Sequence, residues 1–221
     1  MKIIAKTTLS CIAFFVFSHC ACANESSSVA IPGYNDKYSE VVRKLETGQT
    51  DINFREFRES FLESKQFEAV NKQKPDLEIL RNMMHELMRM SKYTEIIGVA
   101  KKMLSIDYTD LEAHKVLQQT YKILGDTANR NKYHDIELGL LKSIVKNGDG
   151  DGKSCKTAWP VIQVTEEYFI LNMIGAQLKK QSIDNTDGLC DKMEVITDKG
   201  DKTYYFDINN VFKGYKKQGI K

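Results

Sequence analysis

The chain has 221 residues, 42% of them apolar, with five cysteines and 32 Lys+Arg against 30 Asp+Glu for a net charge of +2. So even a balance excludes nucleic acid as a main partner, because phosphate binding needs an excess of clustered cations. The length suits one compact unit or two small ones.

Residues 1–23 read as an export signal. Lys2 and Lys6 form a basic start, and Cys11 to Phe17 is an apolar run too short to cross a bilayer. Ala21-Cys22-Ala23 fits the small-x-small cleavage pattern, with cutting after Ala23. Lipidation at Cys20 or Cys22 is the rival. It wants an aliphatic residue three positions ahead, where Phe17 and His19 stand. Cleavage removes Lys2 and Lys6 and no acid, taking Lys+Arg from 32 to 30 against 30 Asp+Glu, so the mature chain is neutral. The expected location is therefore exported, periplasmic or secreted. No later run is long and apolar enough to span a membrane.

Cys11, Cys20 and Cys22 leave with the signal, and Cys155 and Cys190 remain. An even pair in an exported protein reads as a disulfide, worth about 3–4 kcal/mol in the chain-entropy model. Two unpaired thiols are the alternative, since spacing alone does not bring two Cα atoms together.

Residues 24–36, Ser-rich and then Pro-Gly, read as a flexible tether. From 37 to 146 the pattern is helical. Asn35 or Asp36 can cap a helix with the stripe Tyr38, Val41, Val42 and Leu45, stopped at Gly48. Asp51 opens the next, in which Phe54, Phe57 and Phe61 share a face as core packing. Asn71 to Pro75 reads as a polar connector and Asp76 as the cap of a helix with Leu80, Met83, Met84 and Leu87, near Met88 and Met90. The methionines read as adaptable core filler, with a promiscuous binding groove as the alternative.

Tyr93, Ile96, Ile97, Ala100, Met103 and Leu104 form a clean helical stripe. Asp110 caps a partner helix with Ala113, Leu117, Tyr121 and Leu124, closed by Gly125. Lys92-Tyr93-x-Glu95-Ile96, Ala113 and Leu124-Gly125-Asp126 resemble a tetratricopeptide-type hairpin. Lys92 to Ile96 recurs weakly as Lys132 to Ile136, at an interval longer than that repeat uses, and its Trp-Leu-Gly element is missing. The expectation is a divergent, tetratricopeptide-like stack. A last long helix carries Tyr133, Ile136, Leu140, Leu141 and Ile144.

Residues 147–221 read as a small α+β part. Trp159 to Val164 is a strand with Pro160 near its start or on an edge. Thr165 caps a short helix with Glu166 and Glu167 matched to its dipole and Tyr168, Leu171 and Ile174 inward. Strands follow over 177–183 and 189–196, then a hairpin turn at 198–201, then a strand with Tyr204 and Phe206 on one face and Tyr205 and Asp207 on the other. Asn209 or Asn210 caps a final helix with Val211, Phe212 and Tyr215. The fold class is α+β, mostly α: antiparallel helical hairpins followed by a small, mostly antiparallel sheet with one or two short helices.

Candidate chemistry is thin. Asn147, Asp149 and Asp151 followed by Gly152 match the start of an EF-hand calcium loop, but Ala158 stands where the bidentate Glu belongs and a strand follows. They make weak metal candidates at most. Gly152-Lys153-Ser154 echoes the end of a phosphate loop, in the wrong order of helix, loop and strand. Cys155 has no histidine placed beside it, since His85, His114 and His134 fall in the helical part. No zinc spacing and no seryl motif is present. No catalytic residue and no cofactor is expected.

Gly150-Asp151-Gly152-Lys153-Ser154, Thr157-Ala158, Val161-Ile162-x-Val164, Glu166-Glu167-Tyr168, Ile170-Leu171 and Tyr204-Tyr205-Phe206-Asp207 resemble a bacterial exported family known only as domain of unknown function 4919. Phe54-Arg55-Glu56-Phe57-Arg58 and the Gly125-Asp126 helix exit are similar to it too, so the likeness covers roughly residues 37–217. It implies helical hairpins leading into a small α+β end in a bacterial envelope protein, and no activity. Asp149 and the Cys155, Cys190 pair depart from the pattern. The expected function is a non-catalytic module for an unknown protein or peptide. The alternatives are an envelope enzyme with Tyr205, Asp207, Lys153 and Glu167 around one cleft, or weak calcium binding at 147–152.

Overall fold

A computed structural model of the protein describes residues 28–31, 33–145, 150–217 and 219. The export signal and the loop residues Asn147 and Asp149 lie outside them. Six helices come first: α1 (Lys37–Glu46), α2 (Phe54–Glu63), α3 (Lys65–Arg89), α4 (Tyr93–Ile106), α5 (Leu111–Leu124) and α6 (Thr127–Val145). A 3-10 turn (Cys155–Thr157) leads into β1 (Trp159–Pro160), α7 (Val164–Met173), β2 (Gln177–Asp184), β3 (Cys190–Thr197), β4 (Gly200–Asp207) and α8 (Asn209–Lys217). The class is α+β, mostly α. Among the described residues no helix is long and apolar enough to cross a membrane.

Local chemistry explains most boundaries. Asp36 accepts from the Ser39 amide at the start of α1, and Asp110 from the Ala113 amide at the start of α5. Gly125 takes a φ of 76° to close α5. For α2 the cap is Asn53, not Asp51: its side chain accepts from the Arg55 and Glu56 amides and donates to the Glu56 carboxylate.

The expected break at Asn71 to Pro75 is absent. One helix of 25 residues runs through Pro75. An internal proline removes a backbone hydrogen bond and costs about 3 kcal/mol. Burial outweighs that here, because Phe67, Val70 and Met84 are buried on both sides of the proline and Leu77, Leu80 and Leu87 pack against the same core. The methionines divide. Met84 is core, whereas Met83, Met88 and Met90 are exposed, so the reading of all of them as filler is corrected.

The sheet has the order β1-β4-β3-β2. β2, β3 and β4 are antiparallel neighbours, while β1 runs parallel to β4, which makes the sheet mixed. The strand expected over 159–164 shrinks to two edge residues because the Ile162 amide turns away to the Glu166 carboxylate. Inward residues of β3 are Asp191, Met193 and Val195, with Phe206 opposite Asp191 on β4. Gly152, at a φ of 68°, ties the preceding loop to the sheet: it donates to the Thr157 carbonyl and accepts from the Tyr205 amide. The Cys155–Cys190 disulfide, with Cα atoms 5.8 Å apart, fastens the 3-10 turn to the start of β3.

One core joins both parts. Tyr38, Phe57, Phe61, Leu104 and Tyr133 belong to the same buried cluster as Ile170, Met193, Val195 and Phe206. Val29, from the stretch read as a tether, is 2% exposed within that cluster. α8 returns to the corner of α2 and α3, where Gly214 is needed for close approach: a Cβ there would lie 2.8 Å from the Phe67 ring.

Candidate functional site

The start of α7 organises the site. Gln163 precedes the helix, but its side chain is turned to α5, donating to Asp107 at 2.7 Å and to Thr109 at 3.0 Å. No side chain therefore caps α7. Burial first, and the nearby Asp110 charge next, push the Asp107 carboxyl up to about 6.

The two acids expected to match the helix dipole do stand in the first turn of α7, and both are buried. Glu166 accepts from Arg58 Nε at 2.9 Å and Nη2 at 2.6 Å, and from the Ile162 amide at 2.8 Å. Arg58 also donates to the Ser143 hydroxyl and the Pro160 carbonyl. The pair is almost fully buried, and a bidentate guanidinium is the group that fits a carboxylate in such a place.

Glu167 points the other way, toward Asp191 on β3. It is completely buried, and neither of its oxygens receives a hydrogen bond from an N–H or O–H donor. Burial, then the Asp191 charge and hydrogen bond, then the Glu166 charge, push its carboxyl up to about 9. A carboxyl raised that far is protonated at neutral pH, and Glu167 lies neutral beside Asp191. Asp191 also accepts from Gln181 Nε2 at 2.8 Å, and Gln181 Oε1 accepts from the exposed Tyr168 hydroxyl at 2.8 Å. Tyr168 and Ile174, expected inward, are both exposed. The helix turns its two glutamates inward instead: Glu166 meets Arg58, and Glu167 lies beside Asp191 with no donor to either oxygen.

Three hollows surround this turn. One of about 630 Å³ lies between α3, α5 and α7, with Arg81, His85, Met88, Lys115, Tyr168 and Phe169 on its walls. A second of about 140 Å³ lies between Phe67, Val70, Thr165 and Tyr215. A third of about 370 Å³ lies between β2, β3 and α8, lined by Gln181, Ile183, Asp191, Phe212 and Tyr215. Val164 borders all three, so they adjoin as one irregular trough across the start of α7. Its walls combine exposed apolar groups (Met88, Tyr168, Ile183 and Phe212) with a few polar ones.

The polar groups at the α3 end are already paired. Arg81 donates to Asp110 at 2.6 Å and pairs with Glu112, which also meets His85 Nε2 at 2.7 Å. Burial works against the Arg81 charge, but Asp110 and Glu112 hold its pKa above the ordinary value. Lys115 lies over the Phe169 ring, 5.5 Å from its centroid.

The residues proposed from sequence alone come together poorly. Asp151 is exposed and its oxygens are taken up locally: it pairs with Lys153 Nζ and accepts from the Lys153 amide and the Thr157 hydroxyl. Hydrogen bonds from Lys153 and Thr157 hold its carboxyl down to about 2. Among the described residues no group of three or more His, Cys, Asp or Glu is arranged to hold a metal ion. Tyr205, Asp207, Lys153 and Glu167 do not share a cleft. Tyr205 lies opposite Lys192, one position out of phase with the inward Asp191–Phe206 pair. Asp207 accepts from Asn209 at the start of α8, Lys153 is solvated, and Glu167 is inside. Arg58 and Asp191 carried no expected role. Strict alternation along Asp191, Met193 and Val195 was the signal for Asp191, an acid at an inward position of a strand.

The chain matches the family described as Domain of unknown function (DUF4919) over residues 28–217. It belongs to that family. The match takes in the helical part and the α+β part together, and so the whole trough. No curated protein and no solved structure was found to match the chain.

Proposed function

We propose that this DUF4919 protein is a non-catalytic binding module, and that its trough receives an extended segment of another polypeptide. The observation that carries this is the meeting of three hollows at Val164, which brings walls from α3, α5, α7, the sheet and α8 to one place. Its chemistry supports the same reading. Exposed Met88, Tyr168 and Phe212 offer adaptable apolar and aromatic contacts of the kind that dominate polypeptide interfaces. The side-chain-free start of α7 leaves amide donors for main-chain carbonyls. Helices α3 to α6, each packed against the next in the chain, support the tetratricopeptide-like character of the scaffold. The intact Cys155–Cys190 disulfide supports an exported, oxidising location.

Selection from a random peptide library on the full chain tests the proposal. Selected peptides should lose binding at least about tenfold in Met88→Ala and Tyr168→Ala, and be unaffected by Ile123→Ala on the exposed end of α5. Peptides that bind equally well to all three variants would place the site elsewhere.

A further inference from the structure

The third hollow is chemically unlike the rest of the trough. Asp191 stands at its foot, on an inward position of β3, and Glu167 is packed behind it. Glu166 has Arg58 as its counter-ion. Among the described residues Asp191 and Glu167 have none: Asp191 has the neutral Gln181 amide, and the charges acting on Glu167 are those of Asp191 and Glu166, all of one sign. A buried negative charge without a cation is costly, and proteins rarely leave one unless something supplies the partner. Around it the walls are apolar. Ile183 and Phe212 are exposed at the rim, with Val211, Ile208 and Tyr215 beside them. Lys74 lies over the Tyr215 ring, 5.6 Å from its centroid, on the side of the second hollow.

We propose that this end of the trough is a subsite for a lysine side chain of the bound polypeptide, its ammonium on Asp191 and its aliphatic stem between Ile183, Phe212 and Tyr215. The inference rests on the binding-module reading and names the residue that the segment must carry. Charge selects a cation, and the apolar walls select one with a hydrocarbon stem. Geometry selects lysine over arginine. Asp191 already accepts from Gln181 and faces Glu167, which leaves room for a compact point charge and not for a fork of two parallel N–H bonds. The rings of Phe212 and Tyr215 add a face on which an ammonium group is favoured.

Two titrations followed by NMR test this on the full chain. In the first the probe is n-hexylammonium, with n-hexanol as its uncharged counterpart. The ammonium should bind saturably, shifting the Gln181, Asp191 and Tyr215 amides, and hexanol at least about tenfold more weakly. Asp191→Asn, in a sample whose dispersed spectrum shows it folded, should lose the same factor. Glu167→Gln should retain binding, because Asp191 keeps its charge and accepts from the new amide. Equal binding of hexanol, or unchanged binding by Asp191→Asn, overturns the subsite. In the second titration, replacing lysine by norleucine in library-selected peptides should cost at least about tenfold. Selected peptides that ignore this change overturn the lysine subsite while the binding trough stands. Hexylammonium binding at Asp191 with no peptide bound anywhere on the trough overturns the lysine assignment in favour of a free amine, and with it the binding-module reading.

Discussion

Arg58 of α2 and Glu166 of α7, 108 positions apart in the chain, meet as a buried bidentate pair. The same guanidinium reaches Ser143 on α6 and the Pro160 carbonyl on β1, so one side chain ties the helical part to the α+β part. Removing it would leave the Glu166 carboxylate buried without a counter-ion. Arg58→Met is expected to cost about 3–5 kcal/mol in chemical denaturation. Arg58→Met with Glu166→Leu should recover part of that, because the stranded charge is gone. A loss below about 1 kcal/mol for the single variant would show that the pair does not hold the two parts together.

Glu167 gives stability a pH dependence of known sign. Its carboxyl has an ordinary value of 4.5 and is pushed up to about 9 in the fold, so the native state holds a proton that the unfolded chain has lost. Its favourable contribution is complete below 4.5, declines as pH rises, and is gone above about 9. Two other buried groups act at lower pH. Asp107 shifts in the same direction, up to about 6, and His114 is pushed down by burial to about 4, so its contribution is lost as pH falls from 6.5. Between 6.5 and 9 the slope belongs to Glu167. Glu167→Gln should flatten it and raise stability at pH 8 by roughly 1–3 kcal/mol. Thermal melts across pH 6.5 to 9 measure this. A wild-type stability that rises through that window would have the wrong sign.

The disulfide closes a separation of 35 residues that contains α7 and β2. Reduction, or Cys155→Ser with Cys190→Ser, should lower stability by about 3 kcal/mol, read from the shift in denaturation midpoint. Native protein should show neither thiol free to an alkylating reagent. Unchanged midpoints under reducing conditions would mean that the loop before Cys155 is held to β4 by the Tyr205–Gly152 hydrogen bond without help from the disulfide.

What was legible in the sequence was local. Asp36, Asp110 and Gly125 act as the caps that their types and positions suggest, and the stripes of α1, α4, α5 and α6 face the core as spaced, except that Leu124, at the last turn of α5, is exposed. Errors came where tertiary contacts override local rules. Pro75 does not break α3, because core residues on both sides hold the helix together. Glu166 and Glu167 read as matched to the helix dipole from their place in a first turn. Only the fold reveals that Arg58 comes to one and Asp191 to the other. Both Arg58 and the Glu166-Glu167-Tyr168 run lie in the stretches that resemble the family, so the resemblance marked the right segments without showing that they meet. The calcium reading rested on residue type and spacing. The oxygens of Asp151 serve Lys153 and Thr157 within its own loop. The trough was not legible at all, since its walls come from α3, α5, α7, the sheet and α8, and no single stretch carries its pattern.

Hydrogen–deuterium exchange of the full chain with and without a library-selected peptide tests the binding trough most directly. Protection should concentrate at the start of α7 from Gln163 to Phe169, with the flanking walls at 81–88, 109–119 and 208–215. Protection that falls on the 150–157 loop or the exposed end of α5, with the start of α7 unchanged, would contradict the account.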